Sequence, residues 1–89
     1  MIKIVSARLL HDHVIAIGFS DGAGGEFDLA PLIARQSTLT LALKDPTFFK
    51  GFFLELGALC WRNGFELSPG AIYRDLEAQG NLIKQYRAA

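Results

Sequence analysis

The segment from Phe52 to Gln79 constrains the fold more than any other part of the chain. It holds two hairpin signals in close succession, because a two-residue turn favours either Gly first or the pair Asn-Gly. We predict strands over Phe52 to Leu56, Leu59 to Arg62 and Phe65 to Leu67, with turns at Gly57-Ala58 and Asn63-Gly64. Ser68 then caps a helix that starts with Pro69 and stops near Gly80.

Two-residue turns determine the pairing of these strands. They predict that Leu54 faces Trp61 and that Trp61 faces Glu66. One face then carries Phe52, Leu54, Leu56, Leu59, Trp61 and Glu66, and the other carries Phe53, Glu55, Cys60, Arg62, Phe65 and Leu67. The first face is the predicted core, and Glu66 is the one residue that does not suit it.

The first half of the chain also predicts a meander. Apolar, partly alternating runs predict strands over Ile2 to Leu10, Val14 to Ser20 and Glu26 to Leu29. Short helices are predicted over Pro31 to Gln36 and from Asp45-Pro46 to about Lys50, while Leu39 to Leu43 suits a helix or a strand. The predicted fold is therefore α+β, with small antiparallel meanders of about five to six strands and two or three short helices.

The length of 89 residues predicts a single domain, which we place over residues 1–80. Residues 81–89 are predicted to form a helical turn or a docking tail. Apolar residues make up 51% of the chain, more than one small core readily hides, and this favours a homodimer.

Nine basic and nine acidic residues leave no net charge. Direct nucleic-acid binding is therefore not expected, because such binding requires a basic surface. The single cysteine, the lack of a signal segment and the lack of a long apolar run predict a cytoplasmic protein without a membrane span.

Three residues are candidates for a binding site: Trp61, Glu66 and Tyr73. Glu66 beside Trp61 is either an acid that faces a ligand or a charge placed near the start of the following helix. Tyr73, next to the buried Ile72, presents its hydroxyl at an interface or simply reaches solvent.

Other motifs are better explained by structure than by chemistry. His11-Asp12-His13 lacks a third metal ligand at suitable spacing, so it is predicted to be a solvated loop. Cys60 is predicted to be a buried thiol. The glycine-rich turn from Asp21 to Gly25 joins two strands, whereas phosphate-binding loops lead into a helix. No catalytic residue, cofactor or metal is predicted.

Three motifs resemble a bacterial family catalogued as domain of unknown function 2442. They are Phe19-Ser20-Asp21-Gly22, the run from Leu43 to Phe49, and the run from Trp61 to Pro69 followed by Ile72-Tyr73. The resemblance implies a small α+β fold like the N-terminal domain of longer relatives, in which a helix-turn-helix DNA-binding domain follows. It also implies a companion protein encoded nearby, as in toxin–antitoxin pairs, and it supplies no catalytic residue.

The leading hypothesis is a non-enzymatic protein-interaction or regulatory module, antitoxin-like or associated with transcription. One alternative is a ligand-binding or enzymatic domain with a pocket near Trp61, Glu66 and Tyr73. The other is an accessory protein that binds nucleic acid, which would require Arg62, Arg74, Lys84 and Arg87 to gather on one face.

Overall fold

A computed structural model describes residues 1–87. The strands are β1 Ile4–His11, β2 Val14–Phe19, β3 Gly24–Asp28, β4 Phe53–Glu55, β5 Ala58–Cys60 and β6 Glu66–Leu67. The helices are α1 Ala30–Ile33, α2 Thr38–Leu41, α3 Pro46–Phe49 and α4 Pro69–Ala78. A 3-10 turn over Ala42–Lys44 separates α2 from α3. The predicted α+β fold is confirmed.

Two antiparallel sheets of three strands each, in the orders β1–β2–β3 and β4–β5–β6, build the domain. The central strand of the first sheet, β2, is buried on both faces, since Ile15, Ala16 and Ile17 are all inaccessible. The start of β1 lies beside the β4–β5 hairpin, where the Ile4 N–H donates to the Gly57 carbonyl at 2.9 Å. The two sheets therefore share one core.

Short helices connect the sheets, and their starts follow the residues that the sequence indicates. Asp45 accepts a hydrogen bond from the Thr47 N–H at 3.1 Å, and Pro46 follows in the first turn. The segment that suited either a helix or a strand is helical, because Ser37 caps α2 through the Thr40 N–H at 3.3 Å.

Helix α4 closes one side of the core. The Ser68 hydroxyl accepts from the Ala71 N–H at 3.2 Å, so the predicted cap is confirmed. Ile72 and Leu76 are fully buried, as their spacing of four residues predicts. Gly80, with a φ of 73°, follows the helix and turns the chain away.

The chain after Gly80 runs along the outer edge of β3. Ile83 and Gly24 exchange two backbone hydrogen bonds of 2.8 and 2.9 Å, and the Tyr86 N–H donates to the Gly22 carbonyl at 3.0 Å. Over residues 81–87 the contacts are those of a docked, non-helical segment. Residues 88 and 89 of the predicted tail lie outside the described residues.

Candidate functional site

The β4–β5 hairpin turns at Leu56-Gly57, so the predicted turn at Gly57-Ala58 is wrong. Both residues have positive φ, 52° and 81°, which is the conformation of a type I′ turn. Leu56 is 92% exposed and occupies a position where Asn or Gly is usual. Gly57 is required, because a Cβ there would lie 2.7 Å from the Cβ of Lys3.

This turn shifts the pairing of β4 with β5 by two residues from the prediction. Leu54 pairs with Leu59 and not with Trp61. Because the shift is even, each side chain keeps its predicted face. Phe53 and Cys60 therefore remain together on the face opposite Leu54 and Leu59.

The β5–β6 connection differs from the prediction by one residue, which matters more. Trp61 pairs with Phe65, since the Trp61 N–H donates to the Phe65 carbonyl at 2.9 Å. Three residues separate them, and among these only Gly64 has positive φ, so Asn63-Gly64 is not a two-residue turn. Asn63 instead braces the loop by accepting from the Phe65 N–H at 3.1 Å.

The odd shift moves Glu66 to the other face of the sheet. It pairs with Cys60, and its side chain is exposed. The prediction that Glu66 faces Trp61 on the core side is therefore wrong, and Leu67 takes the core-side position beside Leu59. The apparent buried carboxylate was a consequence of the wrong turn length.

Trp61 is a core residue that also lines a depression beside Glu66. It is 2% exposed, and its indole N–H donates to the Phe49 carbonyl at 2.9 Å. The rings of Phe49, Phe52 and Phe65 surround it at centroid distances of 5.8, 6.1 and 5.7 Å. The indole thereby joins β5 to α3.

Tyr73 lies at a different place, against the first sheet. Its ring meets Phe19 edge-on at 4.9 Å, and its hydroxyl donates to the Asp21 carboxylate at 2.8 Å. The second oxygen of Asp21 accepts from the Ala23 N–H at 2.9 Å. The structure thus does not bring Tyr73 together with Trp61 and Glu66, and a pocket formed by all three is absent from the described residues.

The Asp21–Tyr73 bond has a predictable pH dependence. The bonds from Ala23 and Tyr73 lower the pKa of Asp21, and the bond to Asp21 raises the pKa of Tyr73. Stabilisation by Asp21 should therefore be present above its ordinary pKa and be lost as pH falls below it. Stabilisation by Tyr73 should be present below its ordinary pKa and be lost at strongly alkaline pH.

Urea unfolding of wild type and Tyr73→Phe at pH 3, 7 and 11 tests this coupling. We expect the stability difference between the two proteins to be largest at pH 7 and to shrink at both extremes. A difference that is constant across these pH values would contradict it. Tyr86→Phe is the control, because burial is the main reason that the pKa of Tyr86 is raised.

Glu66 borders a depression on the outer face of the second sheet. The depression has a volume of about 370 Å³ and is also lined by Phe53, Cys60 and Trp61. Two of the three predicted site residues, Trp61 and Glu66, therefore meet there, together with Glu55 and Arg62. Burial raises the pKa of the Cys60 thiol, and the carboxylates of Glu66 and Glu55 raise it further. Cys60 is therefore a neutral thiol at physiological pH, which makes it a poor nucleophile.

Exposed apolar side chains line β4 and its turn, and two others lie on α2, where Leu39 and Leu41 are 43% and 47% exposed. Phe53 and Leu54 are 40% and 36% exposed, Leu56 is 92% exposed, and Val5 on the neighbouring β1 is 62% exposed. We call Val5, Phe53, Leu54 and Leu56 the β4 surface. Alternation along the sequence predicts a core position for Leu54 and Leu56. In the structure Leu56 has a positive φ of 52° and lies in the turn, outside the core.

Residues 1–87 hold neither a cluster of metal ligands nor a helix suited to span a membrane. Within residues 1–87, no three His, Cys, Asp or Glu side chains are close enough to hold a metal ion. His11, the last residue of β1, contacts the neighbouring Asp12 at 3.1 Å, and both side chains are exposed. None of the helices in the described range is long and apolar enough to cross a membrane.

Comparison with known proteins places the chain in a family. No curated protein and no solved structure is significantly similar to it. A family model described as "Protein of unknown function (DUF2442)" matches residues 4–78, a range that includes both sheets and α4. The three motifs that carry the resemblance all lie within this range, and the chain belongs to this family.

Proposed function

We propose that this chain is a non-enzymatic protein-interaction module of the bacterial cytoplasm, and that it forms a homodimer through the edge of β4. The observation that carries the proposal is the exposure of every residue of β4, together with the leucine at the adjoining turn. An exposed apolar edge strand is a template for a further strand unless something covers it.

The backbone of β4 supports pairing with another strand. In a two-residue hairpin the residues that flank the turn, Glu55 and Ala58, exchange both hydrogen bonds, and the bonded pairs then alternate along the ladder. The N–H and C=O of Leu54 therefore point away from β5. Within residues 1–87, no backbone hydrogen bond from outside the second sheet reaches β4.

The β4 edge of a second copy of the chain can pair with this edge about a two-fold axis. If two β4 strands pair antiparallel about a two-fold axis at Leu54, each Leu54 bonds the Leu54 of the other copy. Phe53 then lies opposite Glu55, so the two Glu55 carboxylates are not directly opposed. The result is one continuous sheet of six strands, in which the apolar side chains of both edges cover each other.

The neutral Cys60 thiol also favours a binding role over catalysis. Its raised pKa disfavours the thiolate that nucleophilic chemistry needs. A regulatory role, such as sequestering a companion protein, would use the same edge after the dimer dissociates.

Leu54→Pro tests the proposed edge. Proline removes the outward N–H of Leu54, while the bonds between β4 and β5 remain, because proline is tolerated on edge strands at such positions. We expect wild type at about 100 µM to show twice the 9.8 kDa chain mass by light scattering, and Leu54→Pro to weaken dimerisation at least about tenfold.

Leu54→Ala is the matched control, since it shortens the same side chain but keeps the N–H. It should weaken the dimer less than Leu54→Pro does, with circular dichroism confirming that both variants fold. A wild-type protein that remains monomeric at 100 µM would refute the homodimer. A dimer that Leu54→Pro leaves intact would refute the β4 edge as its interface.

A further inference from the structure

We infer that a cleft between the β1–β2 turn and α3 binds a small carboxylic acid with an apolar body. The cleft has a volume of about 390 Å³, within the range of small-molecule sites. It lies away from the β4 surface, and no residue lines both. This inference is therefore independent of the proposed dimer.

The floor of the cleft is apolar and well ordered by packing. Phe49 is 1% exposed and fixed by its carbonyl bond to Trp61, and the ring of His13 meets it edge-on at 4.7 Å. Leu9 and Pro46 complete the apolar lining. A floor of this composition accepts an aliphatic chain or an aromatic ring of the ligand.

The rim of the cleft is positively charged. Lys44 and Lys50 line it, and neither ammonium group has a hydrogen bond or an ion pair with any residue of the described range. The only carboxylate in the lining belongs to Asp12, which lies 3.1 Å from the Nδ1 of His11. Two ammonium groups without partners beside an apolar floor favour a ligand with one anionic end.

The polar groups also limit the kind of anion. Two separate lysines act as point charges and lack the planar fork that makes arginine a bidentate anion ligand. No arginine among residues 1–87 lines the cleft. A compact carboxylate between the two ammonium groups would pair with the charged rim. The apolar end of the same ligand would pack over Phe49 on the floor of the cleft.

Two-dimensional NMR titration of the full chain with hexanoate and with benzoate tests the inference. We expect saturable shifts at the amides of Leu9, His13 and Phe49, with dissociation constants on the order of 1 mM or tighter. Hexan-1-ol and benzyl alcohol, which lack the charge, should bind at least about fivefold more weakly.

The double variant K44Q/K50Q separates the cleft from general charge effects. It should weaken the binding of both acids by about 5- to 20-fold, because two exposed ion pairs are lost. K3Q/K84Q changes the net charge equally at distant sites and should alter binding less than about twofold. Binding that is equal in the two variants, equal affinity for the alcohols, or no shifts at the cleft would each overturn the inference.

Discussion

Replacing Trp61 with Phe should lower the free energy of unfolding by about 2–4 kcal/mol. The change removes the indole N–H that donates to the Phe49 carbonyl at 2.9 Å and leaves that carbonyl without its partner in the core. It also leaves a small cavity among three aromatic rings. A domain of this size has a total stability of roughly 4–13 kcal/mol, so the loss is a large fraction of the whole.

Urea unfolding followed by circular dichroism measures this effect, since the variant has no tryptophan left for fluorescence. Phe52→Leu is the control. Its ring also contacts Trp61, at 6.1 Å, but it donates no buried hydrogen bond, and we expect a loss below about 1.5 kcal/mol. If Trp61→Phe costs no more than this control, the indole–carbonyl bond does not stabilise the core as argued.

Replacing Gly24 with Ala should destabilise the domain by about 2–4 kcal/mol and release the docked segment after Gly80. A Cβ at Gly24 would collide with the backbone carbonyl oxygen of Ile17 and lie 2.5 Å from Cδ2 of the Tyr86 ring. The Ile17 carbonyl belongs to the central strand and cannot move aside. The Tyr86 ring can move, but only by leaving the β3 edge.

Hydrogen exchange at Ile83 and Tyr86 reports the release, because their N–H groups donate to Gly24 and Gly22. Gly64→Ala is the control. Gly64 has a φ of 91°, and a Cβ at this position would meet no other atom within 4 Å, so the variant tests backbone strain alone, at about 1–2 kcal/mol. Unchanged protection at Ile83 and Tyr86 in Gly24→Ala would show that close approach at Gly24 does not hold the segment.

The family motifs are connected to one another by hydrogen bonds. The indole of Trp61, in the third motif, donates to the carbonyl of Phe49, in the second. The hydroxyl of Tyr73, in the third, donates to the carboxylate of Asp21, in the first. Bonds between motifs that are distant in the chain maintain the fold, which gives these residues a structural role.

The sequence by itself determined the elements that depend on local chemistry. Ser68 with Pro69 marked the start of α4, and the spacing of Ile72 and Leu76 identified its buried face, because capping and helical periodicity are properties of neighbouring residues. The strands and the α+β class followed from alternation and turn residues in the same way.

Tertiary structure decided the turn lengths, and with them the candidate site. The connection at Asn63-Gly64 is one residue longer than predicted. Because side chains alternate along a strand, this difference places Glu66 on the opposite face of the sheet. Asn63 donates to the carbonyl of Leu39 at 3.0 Å, a contact between residues far apart in the chain that no local pattern reveals. The exposure of Leu56 likewise depends on the position of its turn. Lys3 packs against Gly57 of this turn, and the Ile4 N–H donates to the Gly57 carbonyl. Local sequence therefore predicted which segments form strands, and contacts between distant residues selected their register.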